Sequence, residues 1–419
     1  MFPALGMHGE AVLRQLALAP GIERVDSPRH ASVLLVAGGI PPYLHEELRR
    51  VHDQLPQPCA TLWFRSEPLL GLESATRIDE LDDLPRALIV LHRELMSGRR
   101  GSSPRLLPDQ PPNPWEGLGD FGQGGEGMMG GTPYGRPMAM NMHDDIRDGL
   151  TLDSLTFRLG PFFPALPPGM KAEITLQGDL IQTWSTQLVP YPVSLDAVFL
   201  DALQRPVPIA ELELARAREH LHRLFHGLRL AGLERLGRQA LQLANTLTLD
   251  SRVDGLRRRL VRCGFFRLSL SGRGRLTEEQ ARKIGGFAAR ATGLDDDLRS
   301  EDAHYRRLGF TPVTQAAGDT RARWQQTLAE IEQSLVLAKQ AVGQDLHTSE
   351  TGSVETPHGP WTDRRPEDAS RLLGDLLPGL EWGEALATIA SLDLAAVSEW
   401  PLEAWAAAPR VASHEARRA

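Results

Sequence analysis

A segment rich in proline and glycine divides this chain into two parts that differ in composition and in predicted secondary structure. It runs from about Gly101 to Gly149, opens with closely spaced prolines and continues as a glycine-dense run. Such a composition lacks the apolar side chains that could offset the entropy of ordering a chain in a core. We therefore expect one domain at residues 1–100, a second at residues 150–419, and a linker between them at residues 101–149.

The first domain is predicted to be a small α/β layer with a parallel sheet. Residues 32–36 form an apolar run typical of a buried strand, a helical pattern follows from about Tyr43 to Leu55, and a second apolar run covers Ala60 to Phe64. A further helix is expected from Pro85 to Met96. Strands separated by a helix favour parallel pairing, because parallel neighbours need a crossover connection.

The second domain is predicted to be mainly α-helical, with a β-hairpin near its start. Residues alternate from Ala172 to Leu176 and reach turn residues at Gln177 to Asp179, which predicts the hairpin. Apolar residues then recur at helical spacing within the helical segment Glu211 to Asn245 and again from Trp324 to Ala338. These stripes should face the core of a helical bundle. The whole chain is therefore expected to be an α+β multidomain protein.

Cys59 and Cys263 are the only cysteines in the 419 residues. A cubane iron-sulfur cluster takes four cysteine ligands, and a structural zinc site takes four cysteine or histidine ligands. The chain therefore cannot supply the thiolates of such a cluster, and we expect no cofactor. Two distant cysteines are expected to be reduced thiols, since buried free cysteine mostly behaves as a small hydrophobe.

Charge and hydropathy exclude two further classes of protein. The formal net charge is -8, whereas a nucleic-acid surface needs clustered lysine and arginine, so no nucleic-acid partner is expected. The start, Met1 to Gly9, has no basic region followed by an apolar one, and no apolar run reaches the length of a membrane span. Secretion and membrane spanning are both disfavoured.

A methionine-rich stretch closes the linker. Met138, Met140 and Met142 alternate and are followed by His143, and thioethers with imidazole are ligand types that Cu(I) prefers. An extended segment would place the three methionines on one side. The alternative, which we favour, is that these adaptable side chains anchor the linker on an apolar groove between the domains.

Three histidines stand close together in the first long helical segment. His222 and His226 are spaced to share one helix face, as a metal-binding pair would, and His220 lies nearby. Neither a glutamate nor a third histidine accompanies the pair at the spacing of zinc proteases. We therefore favour partner contacts or a solvated face over a metal site.

Several segments follow the order found in one known family. Residues 27–38 and 48–58 form one group, and the other comprises residues 152–182, 285–299, 354–359 and 389–398. The first group resembles the cluster-bearing small subunit of respiratory complex I and membrane-bound nickel-iron hydrogenases. The second resembles the large subunit, which in complex I is the D-type subunit of NADH-quinone oxidoreductase. The resemblance implies a small-subunit-like part fused to a large-subunit-like part.

The same resemblance implies a degenerate site. The family's nickel-binding pattern Asp-Pro-Cys-x-x-Cys places Ala395 and Ser398 at the two cysteines, and neither offers a soft thiolate. Glu67 and Leu81 stand near the positions of small-subunit cluster cysteines. Phe163 stands at the quinone-contacting histidine of the large subunit, and a phenyl ring cannot deliver a proton. No catalytic residue, cofactor ligand or metal ligand is transferred to this chain.

Two functions are compatible with this resemblance. The first is a non-redox scaffold or coupling subunit of a complex-I-related ion-translocating or respiratory assembly. Such a protein would dock on antiporter-like membrane subunits at the cytoplasmic face of the cell membrane. The second is a divergent NADH-quinone oxidoreductase or hydrogenase-type subunit that takes part in electron transfer with clusters held by other chains.

Overall fold

The computed structural model describes most of the chain in two structural units. It covers residues 1–72, 75–108, 142–144, 151–267, 270–349, 351–362 and 369–397, with the backbone alone at 142–144 and 151–153. We call the part up to residue 108 the front unit and the part from residue 142 the back unit. Among these residues no helix combines the length and the apolar character needed to cross a bilayer.

The front unit is a four-stranded parallel sheet with three helices. Its elements are β1 (Phe2–Leu5), α1 (Glu10–Leu16), β2 (Val33–Ala37), α2 (His45–His52), β3 (Ala60–Phe64), β4 (Thr76–Ile78) and α3 (Leu84–Met96). The strand order is β1-β2-β3-β4, and each neighbouring pair is parallel. The predicted parallel α/β layer is confirmed.

The central strand β2 shows why an apolar run became a buried strand. Successive side chains of a strand point to opposite faces of the sheet, and every residue of β2 is buried. Leu34 packs in the cluster that holds Leu48 of α2, whereas Leu35 packs in the cluster that holds Leu88 of α3. Helices therefore cover both faces, as parallel sheets require.

The back unit begins with an antiparallel sheet. Its strands are β5 (Met142–Asp144), β6 (Thr151–Leu159), β7 (Lys171–Gln177) and β8 (Leu180–Leu188), paired in that order. Gly178 lies in the turn between β7 and β8 with φ +61°, a conformation that glycine adopts at little cost. The predicted hairpin is confirmed.

Helices and one short hairpin form the rest of the back unit. They are α4 (Ala197–Ala202), α5 (Ile209–Leu230), α6 (Glu234–Asn245), α7 (Asp254–Arg262), α8 (Glu278–Ile284), α9 (Gly286–Arg290), α10 (Ala303–Arg307), α11 (Thr320–Val342), β9 (Val354–Thr356), β10 (Gly359–Trp361), α12 (Leu373–Leu376) and α13 (Trp382–Ser391). The long helices α5 and α11 pack on each other, and Gly227 lets Trp324 approach, because a Cβ there would lie 2.1 Å from the indole.

The helical segment Glu211 to Asn245 forms two helices rather than one. Helix α5 ends at Leu230 and α6 begins at Glu234. Gly232 lies between them with φ +72°, a left-handed conformation that ends helices. The apolar pattern of the two helices runs on across the break, so periodicity alone did not reveal it.

The two cysteines are both free, and their environments differ. Cys59 is buried in the front unit and Cys263 is exposed after α7. The prediction that neither cysteine forms a disulfide is confirmed, and burial, which was expected of a structural thiol, holds for Cys59 but not for Cys263. Cys263 directly follows the last residue of α7, and its thiol donates to the backbone oxygen of Leu260 at 3.3 Å.

Polar contacts join the front unit to the back unit. Lys171 Nζ donates to Glu47 Oε1 at 2.6 Å, and Arg229 pairs with Asp26. His8 Nδ1 and Ser194 Oγ lie 3.0 Å apart. Apolar packing adds to these contacts, since Phe162 of the back unit belongs to the core cluster of the front unit. The two units therefore share an interface.

Candidate functional site

A cavity of about 220 Å³ lies between the front and back units. We call it the junction cavity. Its ionisable lining residues are His8, Glu10 and Arg14 from the front unit, and Glu219, His222, Arg223, His226, Arg229, His358 and Asp393 from the back unit. Apolar residues such as Leu166, Val193 and Leu392 complete the wall. A small chamber that mixes apolar walls with convergent ionisable groups is the usual form of a ligand or reaction site.

Helix α5 supplies more ionisable residues to the junction cavity than any other element. Glu219, His222, Arg223 and His226 follow one another at spacings of three, one and three residues, which places them on one helix face. That face lies against the cavity, and His222 is only 6% exposed. The expectation of a solvated face for the histidine pair is therefore wrong, because the front unit covers it.

No group of three or more possible ligands in the described part of the chain is arranged to hold a metal ion. His222 instead approaches a carboxylate of its own helix, with Nδ1 3.5 Å from Glu219 Oε1. Burial opposes ionisation of Glu219, but the neighbouring His222 and, after it, Arg14 prevail and hold the pKa of that carboxyl below its ordinary range. The alternative of partner contacts for the histidines stays a prediction.

Helix α1 brings an acid and a base from the front unit. Burial raises the pKa of Glu10, Arg14 partly opposes this, and the carboxylate of Glu219 adds to the increase. The helix can start beside the end of β2 because residue 9 is glycine, where a Cβ would lie 2.4 Å from the carbonyl oxygen of Ala37. Two carboxyl groups from different units thus interact electrostatically, and the pKa of one of them, Glu10, is raised.

Asp393 joins two donors at the back of the cavity. Its Oδ2 accepts a hydrogen bond from Arg223 Nη2 at 2.9 Å and a short one from His358 Nδ1. Burial opposes ionisation of Asp393, but His358 and Arg223 overcome it and lower the pKa of the carboxyl. The Arg223 guanidinium also lies 3.8 Å from the centre of the Phe287 ring, a cation–π contact that fixes its plane.

Three buried side-chain nitrogen atoms of cavity-lining residues have no hydrogen-bond partner within the described residues. They are His222 Nδ1, Arg223 Nη1 and His226 Nε2. Burial lowers the pKa of His226 well below its ordinary value, with Arg14 adding to the effect, so its imidazole is neutral. Buried polar atoms normally have partners, and the chamber has room for several waters or a small polar molecule. The site can bind such a molecule and exchange protons with it.

The family positions singled out from the sequence do not all meet at this site. Ala395 is 8% exposed and lines the junction cavity. Phe163 lines a smaller adjoining cavity together with Glu10 and His226. Glu67 lies elsewhere on the front unit, where it accepts a hydrogen bond from a neighbouring arginine.

The other predicted positions are not part of the cavity as described. Leu81 packs at the edge of a core cluster of the front unit. Ser398, Met138 and Met140 lie outside the described residues. Met142 and His143 belong to β5, whose backbone alone is described.

Sequence reasoning missed the acidic half of this site. Glu10, Glu219 and Asp393 received no role, although all three line the junction cavity. A signal existed for one of them, because Glu219 precedes His222 by three residues and shares its helix face. No local signal identifies the other two, since they reach the cavity only through the packing of the two units.

Comparison with known proteins places the similarity in the back unit. Residues 238–366 match the family described as the respiratory-chain NADH dehydrogenase, 49 Kd subunit. The D-type subunit of NADH-quinone oxidoreductase from Geobacillus kaustophilus (strain HTA426) is 39% identical over 83 residues, which is 19% of this chain and 23% of that protein. The corresponding protein of Geobacillus thermodenitrificans (strain NG80-2) gives the same figures. The matched region thus spans about a quarter of these relatives.

A solved structure shows a more distant likeness. A chain of the membrane-bound sulfane sulfur reductase, an archaeal respiratory membrane complex, aligns with a TM-score of 0.43 at 17% identity, covering 57% of this chain and 96% of that chain. The predicted resemblance to the complex I large subunit is confirmed by the family and sequence matches. The resemblance of the front unit to a small subunit stays a prediction.

Proposed function

We propose that this chain, a complex I large-subunit-like protein, acts as a non-redox coupling subunit of a complex-I-related membrane assembly. The observation that carries the proposal is the junction cavity, in which ionisable groups from two units face each other while the family's cysteine positions hold other residues. The partners would be antiporter-like membrane subunits, and the chain would sit peripherally on the membrane through them.

The positions of the two cysteines support a non-redox role. Nickel and cubane clusters need several thiolates at one place. Cys59 lies in the core of the front unit and Cys263 follows α7, and neither lines the junction cavity. Ala395, at a family cysteine position, does line it. These positions support a chamber that lacks the side chains needed to hold such a metal.

The electrostatics of the cavity support a coupling role. Glu10 belongs to the front unit and Glu219 to the back unit, and their charges disfavour each other. Any event that adds or removes a proton here changes the interaction free energy between the units. A conformational change that alters access to the cavity would thereby be linked to proton binding.

Membrane association tests the proposal. The chain should sediment with membranes when antiporter-like membrane subunits are coexpressed, and should stay in the supernatant when it is made alone. Lys171→Glu places a second negative charge beside Glu47 at the interface between the units. This variant should bind membranes less well if the membrane subunits recognise the surface that the two joined units form. Lys283→Glu, at an exposed pair within α8, is the matched control. Membrane binding without any partner, or quinone reductase activity of the isolated chain, would overturn the proposal.

A second function is favoured by one observation, the His358, Asp393 and Arg223 cluster. An imidazole held by a buried carboxylate can deliver protons to a bound acceptor, as electron transfer to a quinone-like molecule requires. In this alternative, clusters in other chains supply the electrons. His358→Gln should then abolish quinone reduction by the purified assembly while leaving its composition unchanged, whereas the coupling role predicts no such activity in either form.

A further inference from the structure

A second concentration of buried charge lies within the back unit and is separate from the proposed function. Its members are the carboxylates Glu213, Asp297, Glu330 and Glu355, the guanidinium groups of Arg216, Arg290 and Arg299, and the imidazole of His220. Each of these residues is 8% exposed or less. Water is largely absent around them, so their charges must balance locally.

Arg290 of α9 is the centre of this network. Its Nε lies 2.8 Å from Glu330 Oε1, and its Nη1 lies 2.8 Å from Glu355 Oε1 and 3.0 Å from Asp297 Oδ2. One guanidinium thus contacts three carboxylates. Two of these, Glu355 and Asp297, share a single nitrogen and must therefore lie close to each other.

The charges of the network do not balance when every carboxylate is ionised. Four carboxylates face three guanidinium groups, and His220 does not supply the missing charge. Burial lowers the pKa of His220, although its hydrogen bond to Glu330 at 2.9 Å partly opposes this. One negative charge is in excess, and a proton bound by a carboxylate would remove it.

The contacts of Asp297 and Glu355 indicate which of the two carboxylates binds this proton. Asp297 accepts from Arg299 Nε at 2.9 Å and from Arg299 Nη2 at 2.7 Å, besides its contact with Arg290. Glu355 contacts only one of the guanidinium groups through its carboxylate, that of Arg290, and otherwise accepts from the backbone N–H of Leu298 at 3.3 Å. The less compensated member of a carboxylate pair takes the proton.

We propose that Glu355 is a buried proton-binding site that is occupied at neutral pH and exchanges with solvent through a second cavity. This cavity of about 280 Å³ is lined by Glu355, Arg299, Asp302 and Tyr305, among others. Arg216 of α5 faces the same residue, because its Nη2 donates to the backbone oxygen of Glu355. The ligand is a proton, and the network around it is fixed in the folded state.

The direction of the pKa shifts agrees with this geometry. Burial and the charge of Asp297 raise the pKa of Glu355, with Arg290 partly opposing them. Arg299 and Arg290 overcome the effect of burial at Asp297 and lower its pKa.

Infrared difference spectroscopy of the full chain at pH 7 tests the proposal. The spectrum of the native chain minus that of Glu355→Gln should show the loss of a protonated carboxylic acid band. Subtracting Glu279→Gln, an exposed residue of α8, should show only the loss of a carboxylate band. Loss of a carboxylate band alone in Glu355→Gln would overturn the proposal.

A second measurement applies if Glu355→Gln does not fold. Unfolding the native chain at pH 7 should release a proton from Glu355, because its carboxyl regains an ordinary pKa in the unfolded state. Burial also raises the pKa of Glu10, so the measurement is made in a Glu10→Gln background, where that carboxyl cannot contribute. Carbon-13 NMR of labelled glutamate in that background should show one buried carboxyl still protonated at pH 7. If every glutamate carboxyl is ionised, the proposal is wrong.

Discussion

Arg223 and Asp393 form an ion pair under the junction cavity, with Nη2 and Oδ2 2.9 Å apart and each side chain 11% exposed. The pair connects the middle of α5 to the segment that follows α13. Because His358 donates to the same oxygen, one carboxylate atom fixes two cationic or polar side chains. The shape of the cavity wall depends on this oxygen.

Replacing Asp393 with asparagine keeps its shape and removes its charge. The guanidinium of Arg223 then loses its ionic partner in a nearly buried place, which should lower the free energy of unfolding by about 3 kcal/mol. Denaturant titration at pH 7 measures this. Asp250→Asn, at an exposed pair with Lys339, should have little effect. Equal losses in the two variants would contradict the prediction.

Glu10→Gln should change how stability depends on pH. Because burial raises the pKa of Glu10, its contribution to stability is present below the ordinary carboxyl pKa of the unfolded chain and is lost as pH rises through the higher folded value. Glutamine has no such loss, so the variant should gain stability relative to the native chain as pH rises above the ordinary carboxyl pKa. Unfolding midpoints across that range test this.

Glu219→Gln should change the pH dependence of stability in the opposite direction to Glu10→Gln. The pKa of Glu219 is lowered in the folded chain, so its contribution is present above the ordinary carboxyl pKa and is lost as pH falls. This variant should be less stable than the native chain at pH 7, and the difference should shrink under acid. Parallel pH profiles for the two variants would refute the assignment of opposite shifts.

Gly227→Ala should weaken the packing of α5 on α11. The added methyl would lie 2.1 Å from the Trp324 ring, so one of the helices must shift, at a cost of about 1–3 kcal/mol. Gly255→Ala in α7 is the control, since no atom lies within 4 Å of its Cβ position. There the higher helix propensity of alanine should leave stability unchanged or raise it. Thermal unfolding of both variants measures this difference in stability.

Cutting the chain near Gly125 should leave the two fragments associated. The contacts of Lys171 with Glu47 and of Arg229 with Asp26 hold the units together independently of the connecting segment. Size-exclusion chromatography at micromolar concentration should show one species, which Lys171→Glu shifts toward dissociation. Clean separation of the unmodified fragments would show that the interface is too weak.

The purified chain should contain neither stoichiometric iron nor nickel when it is expressed with cluster-assembly machinery. Two cysteines cannot assemble four-thiolate chemistry, and in the structure Cys59 and Cys263 belong to different units. Metal analysis and visible absorption spectra measure this. A cubane absorption band with matching iron content would show that ligands other than cysteine complete a cluster.

Sequence reasoning succeeded where local pattern determines structure. The apolar run of β2 reflects burial on both faces of the sheet, the alternation of β7 reflects burial of one face, and the stripe of α11 marks residues that face the core. Strand β1 was missed because Phe2–Leu5 is short and follows no alternation. Its pairing with β2 is a long-range contact that a local pattern does not encode.

The candidate site was predictable only in part for the same reason. His222 and His226 stood out by their spacing, but Glu10 and Asp393 become neighbours of that face only after both units have packed. Arg290, Asp297 and Glu355 are likewise distributed over α9, a loop and β9. In the sequence alone, charged residues scattered over separate elements cannot be distinguished from exposed surface residues.

Both walls of the junction cavity come from one translation product. The front wall carries Glu10 and the back wall carries Glu219, so the two are synthesised in equal number without any regulation of separate genes. Covalent connection also keeps the local concentration of each wall around the other high, whatever the protein concentration in the cell. A mutation in one wall is therefore inherited together with the wall that faces it.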